Sequence, residues 1–257
     1  MSQIAWLAGK LMSYEEAGLD AEGWSAGAGI FETVKTVDGL PWALSRHMRR
    51  ALNSARRNDQ PFPTEELIRS AVAETIAANP FSIGRLRLSF ANEGILSVTH
   101  QKYVETNQPA KLATRHLADS YSGIVEKRYP YTINLQLLAE ARRSGFDDFI
   151  LVNTDGVIAE TAIANLVFHL EGEWITPPLS DGVLPGVMRA LLIEKADVVV
   201  RQIPAERLSE IECGFLVSSL KIAQPIEQID DRILVISTKS EQMRSLIAAT
   251  ALATSVG

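Results

Sequence analysis

The hydrophobic and polar positions of the first hundred residues predict hairpins combined with two helices. Runs rich in β-branched and aromatic residues predict strands at 30–36, 41–44, 85–91 and 96–103. Apolar residues at helical spacing predict helices at 45–57 and 64–78, with Ser45 and Thr64 placed as their N-caps. This first half is therefore expected to fold as strands with helices packed on them.

The second half shows the same mixture of short strands and helices. The pattern predicts strands at 111–117, 149–152, 157–160, 165–170, 198–202 and 215–218, and helices at 131–143, 185–196 and 240–253. This order is not the strict alternation of strand and helix that builds a parallel nucleotide-binding sheet. We therefore predict an α+β fold with two domains, 1–107 and 125–257, joined by the connection 108–124.

Composition and charge narrow the classes of protein that fit this pattern. Hydrophobic residues make up 46% and charged residues 22% of the 257 residues, which is enough apolar surface to exclude a disordered chain. The 25 basic and 31 acidic side chains leave a net charge of −6, which argues against nucleic acid as a partner. Because no signal peptide and no apolar run of about 20 residues is visible, we expect a cytoplasmic protein without a membrane partner.

Cysteine and histidine usage does not indicate a disulfide framework or a metal site. Cys213 is the only cysteine, so an internal disulfide is excluded, while a buried thiol and a lone nucleophile both stay open. The four histidines share no metal-ligand spacing with one another or with Cys213. We therefore expect no zinc site.

Several short segments are informative as an ordered series. They are Gly27-Ala28-Gly29-Ile30-Phe31-Glu32-Thr33, His47-Met48-Arg49-Arg50, Lys127, Asn153-Thr154-Asp155-Gly156, Glu160-Thr161, Ala164-Asn165-Leu166, Leu184-Pro185-Gly186-Val187-Met188-Arg189 and Ser218-Ser219-Leu220. In order and spacing the chain resembles the class IV aminotransferase family, fold-type IV enzymes related to D-amino-acid aminotransferase, from about residue 27 to 226. The resemblance implies a two-domain α+β enzyme that uses pyridoxal 5'-phosphate and acts as a homodimer on a small-molecule substrate.

The resemblance assigns roles to three charged side chains. Lys127 matches the family's Schiff-base lysine, and we place it in the C-terminal domain; its neighbours Glu126 and Arg128 would by themselves indicate only an exposed lysine. Glu160 matches the acid that pairs with the pyridine nitrogen of the cofactor and keeps it protonated. Arg50 matches the phosphate-binding arginine, whose planar guanidinium suits a phosphate dianion.

The remaining site residues are assigned to the phosphate and the substrate. Val187 and Met188 open a helix whose amide groups would seat the phosphate, and Ser219 would add a hydroxyl donor. Thr33 lies on the strand that faces the cofactor in the family, where it would hold substrate or relay a proton. Thr33, Met188 and the segment Ser218-Ser219-Leu220 resemble the aminodeoxychorismate lyases of the family more than its branched-chain aminotransferases.

The resemblance therefore predicts a lyase that converts 4-amino-4-deoxychorismate to 4-aminobenzoate and pyruvate in folate biosynthesis. Two departures concern the substrate: Ala26 replaces a frequent aromatic residue, and 91–96 lacks the glycine-rich arginine and tyrosine segment of the lyases. An aminotransferase acting on a branched-chain or D-amino acid, and a catalytically silent dimer, are the alternatives. By charge alone, Arg87 and Lys221 are candidate binders of a substrate carboxylate, but for both a surface position or a salt bridge is the favoured interpretation.

Overall fold

The computed structural model describes residues 3–106, 108–119, 123–236 and 238–253, which divide into two units. The first unit contains the described residues up to Glu105 together with the short segment Glu126–Pro130. The second unit contains the described residues of Thr106–Val125 and Tyr131–Ala251. Within the described ranges, every helix is too short or too polar to cross a lipid bilayer.

Strands and helices are interspersed along the chain. In chain order the described strands are β1 Ile4–Leu7, β2 Lys10–Ser13, β3 Gly29–Val37, β4 Leu40–Pro41, β5 Ile83–Ala91, β6 Leu96–Lys102, β7 Ala110–His116, β8 Arg128–Tyr129, β9 Asp148–Val152, β10 Ile158–Thr161, β11 Asn165–Leu170, β12 Glu173–Thr176, β13 Val199–Val200, β14 Cys213–Val217, β15 Gln224–Ile229 and β16 Arg232–Ile233. The described α-helices are α1 Leu44–Arg57, α2 Glu65–Ala78, α3 Thr132–Arg143, α4 Val187–Lys195 and α5 Lys239–Ala253.

The first unit is built on an antiparallel sheet with α1 and α2 packed on one face. Its strands follow the order β2-β1-β6-β5-β3-β4, and β8 pairs with the opposite end of β3 from β4. Side chains alternate between the faces of β3, so Ile30, Glu32 and Val34 point toward the helices and Phe31 and Thr33 point away. Glu32 is therefore a carboxylate on the apolar, helix-covered side of the sheet.

The second unit is built on a mixed sheet. Its strands follow the order β10-β9-β7-β15-β14-β11-β12-β13, with β16 added beside β15. β7 runs parallel to both β9 and β15, whereas β11 is antiparallel to its neighbours β12 and β14. Large side chains that are almost completely buried form the core of this unit, including Ile150, Leu166, Phe168, Leu216 and Ile226.

Most predicted elements are confirmed, with ends that shift by up to three residues. Thr64 caps α2 as predicted, because its hydroxyl accepts a hydrogen bond from Leu67 N over 3.3 Å. The prediction that Ser45 caps α1 is wrong: the helix begins at Leu44, and Ala43 occupies the N-cap position with φ of 52°. The predicted strand 41–44 ends at Pro41, since the chain turns at once into α1.

Four features of the structure were not predicted or differ from the prediction. The hairpin of β1 and β2 and the strand β15 were not predicted, because β1 is an apolar run of only four residues and the runs of β2 and β15 mix polar and apolar residues. The segment predicted as a connection contains β7, which pairs with β9 and β15 and so belongs to the second unit. Lys127 was expected with the C-terminal domain, but it lies in the first unit, where β8 is hydrogen-bonded to β3.

Candidate active site

Lys127 is held against the edge of β3 in the first unit. Its carbonyl oxygen accepts a hydrogen bond from Phe31 N over 2.9 Å, and the next two residues pair with Ile30 and Gly29. Its Nζ lies 4.5 Å from the centroid of the Phe31 ring. An ammonium over a ring face is attracted by the negative potential of that face. Backbone pairing and the ring together fix where this amine lies.

Arg50 belongs to a buried group with Glu32 and His47. Arg50 Nε donates to Glu32 Oε1 over 2.7 Å, and Arg50 Nη2 donates to Oε2 over 2.5 Å. The Nδ1 of His47 lies 2.6 Å from the same Oε2. Burial by itself would raise the pKa of Glu32, but its interactions with Arg50 and His47 outweigh burial and lower that pKa to about 2. Glu32 is thus ionised, and sequence reasoning had assigned it no role.

Thr33 lies on the other face of β3, half-buried and directly opposite Arg87 of β5. Arg87 is only 7% exposed, and its guanidinium carbon lies 3.6 Å from the ring centroid of Trp24. Its Nη1 donates to Glu22 O over 2.7 Å, while its Nε has no hydrogen-bond partner among the described residues. Burial and the nearby charge of Arg85 lower the pKa of Arg87 to about 10. The interpretation of Arg87 as a surface residue is therefore wrong.

Glu160 lies at the end of β10 in the second unit and is held by two donors. Asn165 Nδ2 donates to Glu160 Oε2 over 2.8 Å, and Leu184 N donates to the same oxygen over 3.1 Å. Asn165 Nδ2 also donates to Leu184 O over 3.0 Å. These three bonds connect the acid to the segment that enters α4.

Val187 and Met188 form the first turn of α4, as the sequence predicted. Both side chains are buried, so their backbone amides are what this turn offers to a ligand. The first N–H groups of a helix have no partner one turn earlier in the same helix. Gly186 precedes them, and a Cβ built on it would lie 1.8 Å from Asn165 Oδ1. The turn and the Glu160–Asn165 pair are therefore packed with no room for a methyl group.

Ser219 is half-buried in the turn after β14. The last residue of that strand, Val217, pairs across the sheet with Asn165. The structure thus places Glu160, Val187, Met188 and Ser219 in the second unit, and Lys127, Arg50 and Thr33 in the first.

Asp148, which is buried, and Lys221, which is half-buried, are two further titratable side chains of the second unit. Asp148 Oδ1 accepts hydrogen bonds from Phe149 N over 2.8 Å and from Ala162 N over 3.1 Å. Burial raises the pKa of Asp148 and lowers the pKa of Lys221. Lys221 Nζ donates to Gln224 Oε1 over 2.5 Å. Asp148 braces the loop after Glu160, a role that depends on a backbone contact and has no signature in the sequence.

These residues supply the groups that pyridoxal phosphate needs. Lys127 offers a primary amine, Glu160 a carboxylate held in one orientation, and Arg50 a guanidinium fixed by Glu32. The first turn of α4 adds backbone donors suited to a phosphate. Gly186 lets that turn pack against Asn165 where a side chain would collide. Taken unit by unit, these are the kinds of donor that would hold the cofactor.

The profile of the family described as amino-transferase class IV matches residues 29–229, so the chain belongs to this family of pyridoxal-phosphate-dependent enzymes. A Mycobacterium tuberculosis protein named bifunctional aminodeoxychorismate lyase / D-amino acid transaminase is 27% identical over 259 residues, covering 87% of this chain and 89% of that protein. A Bacillus subtilis aminodeoxychorismate lyase is 27% identical over 217 residues, covering 75% of this chain and 73% of that protein.

A solved structure shows the same fold. It is a hypothetical aminotransferase from Mycobacterium tuberculosis in its pyridoxal-phosphate-bound form, with a TM-score of 0.85 and 23% identity. The match covers 97% of this chain and 99% of the other. The predicted α+β fold-type IV architecture is therefore confirmed.

Proposed function

We propose that the protein is a pyridoxal-phosphate-dependent lyase that converts 4-amino-4-deoxychorismate to 4-aminobenzoate and pyruvate. The observation that carries the proposal is Arg87, a buried cation opposite Thr33 whose Nε has no partner among the described residues. A buried donor without a partner is costly, and a substrate carboxylate would satisfy it. Aminodeoxychorismate offers carboxylates to this Nε, whereas the aliphatic side chain of a branched-chain amino acid offers no acceptor and only its α-carboxylate would serve.

The polar character of the surroundings supports the same substrate. On the face of the first sheet that carries Thr33 and Arg87, the buried Ser89, Ser97 and Thr99 accompany the aromatic pair Trp24 and Phe31. A pocket for branched-chain amino acids is expected to be lined by apolar side chains. Hydroxyl groups and a guanidinium suit a polar, anionic ring better.

In the proposed reaction the chain's residues bind, orient and move one proton. The bound cofactor supplies an electron sink for the carbon that carries the substrate amine. Lys127 takes the proton from that carbon, and Glu160 holds the pyridine nitrogen in its protonated form. Arg50, Ser219 and the first turn of α4, with Val187 and Met188, anchor the phosphate, while Thr33 contacts the substrate.

The overall change is an elimination that needs no second substrate. The ring carbon that bears the amine loses a proton, and the bond from the ring to the oxygen of the enolpyruvyl group breaks. The departing group takes up a proton and becomes pyruvate, and the ring becomes aromatic 4-aminobenzoate. Atoms and electrons balance without an oxidant or an oxo acid, so a single lysine that moves a proton is sufficient.

Amino transfer is the main alternative, and the bifunctional name of the Mycobacterium tuberculosis relative supports keeping it in the test. It would use the same cofactor contacts but would need an oxo acid to complete each cycle. A catalytically silent dimer is disfavoured, because Lys127, Glu160 and Arg50 are all present and held. We further propose a cytoplasmic homodimer, which the family resemblance supports; gel filtration tests the oligomeric state.

The test of the proposed substrate uses Arg87→Gln with Arg85→Gln as the matched control. Arg85 lies on the same face of β5, two residues away, and is paired with Glu22 and Gln101. Loss of one hydrogen bond between charged groups is worth about 1.5–3 kcal/mol, so the KM for aminodeoxychorismate should rise about tenfold to hundredfold in Arg87→Gln. The KM of Arg85→Gln should change much less. Equal KM values in both variants would contradict the assignment.

A further inference from the structure

We propose that Glu32 is a positioning residue, which holds the guanidinium of Arg50 in the orientation that binds the phosphate of the cofactor, and that His47 in turn holds Glu32. The proposal rests on the cofactor contact that the proposed function gives to Arg50. It goes beyond that function because it assigns a role to two residues that touch neither substrate nor cofactor. It also holds for either reaction, elimination or amino transfer.

The first step is the place of Glu32 in the sheet. Its side chain is 1% exposed and lies on the face of β3 that carries Ile30 and Val34, beneath the helices. A carboxylate in such surroundings is very unfavourable unless it is paired and fully hydrogen-bonded. Glu32 meets this condition with three donors, two from Arg50 and one from His47.

The second step is what this pairing does to Arg50. Both Nε and Nη2 are engaged, so the guanidinium plane is fixed with respect to the sheet by two parallel bonds. An arginine has a long side chain with many rotamers, and holding it in place before a ligand arrives removes an entropic cost of binding. The Arg50 side chain remains 12% exposed, whereas Glu32 is almost fully enclosed. Glu32 therefore acts from inside the unit on a residue that reaches its surface.

The third step concerns His47, which is fully buried. Burial lowers the pKa of His47, so the imidazole is neutral and its Nδ1–H donates to Glu32 Oε2. The positive charges of Arg50 and Lys127 also lower the pKa of His47. A neutral imidazole therefore donates to the carboxylate without placing a third cation close to these two. One negative and one positive charge then balance within the buried group.

The same strand provides an ion pair for comparison. Lys35 is 4% exposed and pairs with Glu105, and it points to the face of β3 opposite from Glu32. Glu105 lies outside the proposed cofactor contacts. Removing its charge also breaks an ion pair of the first unit, but should not affect Arg50. Glu105→Gln is therefore the matched control for Glu32→Gln.

The experiment measures binding of pyridoxal phosphate to the full-length apoprotein by visible absorption. In Glu32→Gln the new amide group opposes an N–H of Arg50 or His47, so the dissociation constant should rise about tenfold to hundredfold. Because Glu32 does not touch the reacting atoms, the turnover rate at saturating cofactor should change by less than about threefold. The inhibition constant of inorganic phosphate against cofactor binding should also be higher in Glu32→Gln than in Glu105→Gln.

Two His47 variants separate positioning from a general loss of packing. Asn can place a side-chain N–H where Nδ1–H of the ring donates, whereas Leu cannot. His47→Asn should therefore bind the cofactor more tightly than His47→Leu, and this comparison decides the matter if Glu32→Gln does not fold. The proposal would be overturned if Glu32→Gln bound the cofactor as tightly as Glu105→Gln does. It would also be overturned if His47→Asn and His47→Leu bound the cofactor with the same affinity. Because the binding titration contains no substrate, failure of the lyase assay would leave the cofactor affinities unaffected.

Discussion

The side-chain amide of Asn165 donates a hydrogen bond to Glu160 Oε2 over 2.8 Å and a second one to Leu184 O over 3.0 Å. Leu184 N closes the triangle by donating to the same carboxylate oxygen. The acid proposed for the pyridine nitrogen and the segment leading to the proposed phosphate seat are thus tied through one amide. A substitution that moves the segment leading into α4 should therefore also move Glu160, and the reverse should hold.

Gly186→Ala tests this connection directly. The φ of −66° and ψ of 137° at Gly186 are open to alanine, so any effect is steric. The added methyl group would lie 1.8 Å from Asn165 Oδ1, and the amide would have to move away from Glu160. We expect loss of cofactor affinity and of turnover together. Affinity is measured by absorption titration and turnover by kinetics. If both keep their wild-type values in Gly186→Ala, the hydrogen bonds among Asn165, Glu160 and Leu184 have no functional role.

Glu160→Gln and Arg50→Ala should have opposite effects. Glutamine cannot keep the pyridine nitrogen protonated, so the turnover rate should fall more than the affinity for the cofactor. Arg50→Ala removes a charge-assisted contact to the phosphate, so affinity should fall by about 1.5–3 kcal/mol while the rate of the saturated enzyme falls less. Small and equal effects of both substitutions on rate and affinity would contradict the site.

Lys127→Ala should remove the visible absorption of the lysine-bound cofactor and lower activity by orders of magnitude. The reason is that no other amine replaces the one held over Phe31. Borohydride reduction of the wild-type protein followed by peptide mapping should label Lys127. Labelling of Lys111, Lys195 or Lys221 instead would show that the Schiff-base lysine has been assigned to the wrong residue.

The stability of the protein should depend on Glu32 in acid. Its pKa is lowered from 4.5 to about 2 by Arg50 and His47, despite burial, so the folded state binds this proton less readily than the unfolded chain. The contribution is fully present above pH 4.5 and is lost as the pH falls toward 2. Urea unfolding at a series of pH values should show a shallower acid loss in Glu32→Gln than in the wild type. Parallel curves would mean that Glu32 is not ionised as described.

Local signals in the sequence were sufficient for many elements. Thr64 caps α2 because a hydroxyl before two glutamates satisfies the first turn, and this requires only adjacent residues. The turn Asn92-Glu93-Gly94 likewise lies between two predicted strands and connects β5 to β6, with Gly94 at φ of 85°. Elements of this kind depend on a few neighbouring residues, so a single sequence is enough to predict them.

Features that depend on long-range pairing could not be predicted. Lys127 joins the first unit only because its segment pairs with β3, and no local pattern indicates such a partner. Glu32 reaches Arg50 and His47 because α1 packs on the helix-covered face of the sheet. A glutamate at a core-facing position of an apolar strand was a signal that could have been used. Arg87 is buried because Trp24 lies on it, and no local pattern around Arg87 indicates that contact.

The most direct measurement of the central claim supplies purified holoenzyme with aminodeoxychorismate and no oxo acid. We predict that 4-aminobenzoate and pyruvate appear in equal amounts over many turnovers, while D-alanine or a branched-chain amino acid bleaches the visible band of the cofactor only slowly. An aminotransferase would stop after one half-reaction until an oxo acid is added. Rapid bleaching by an amino acid, reversal by 2-oxoglutarate and no product from aminodeoxychorismate would contradict the lyase assignment.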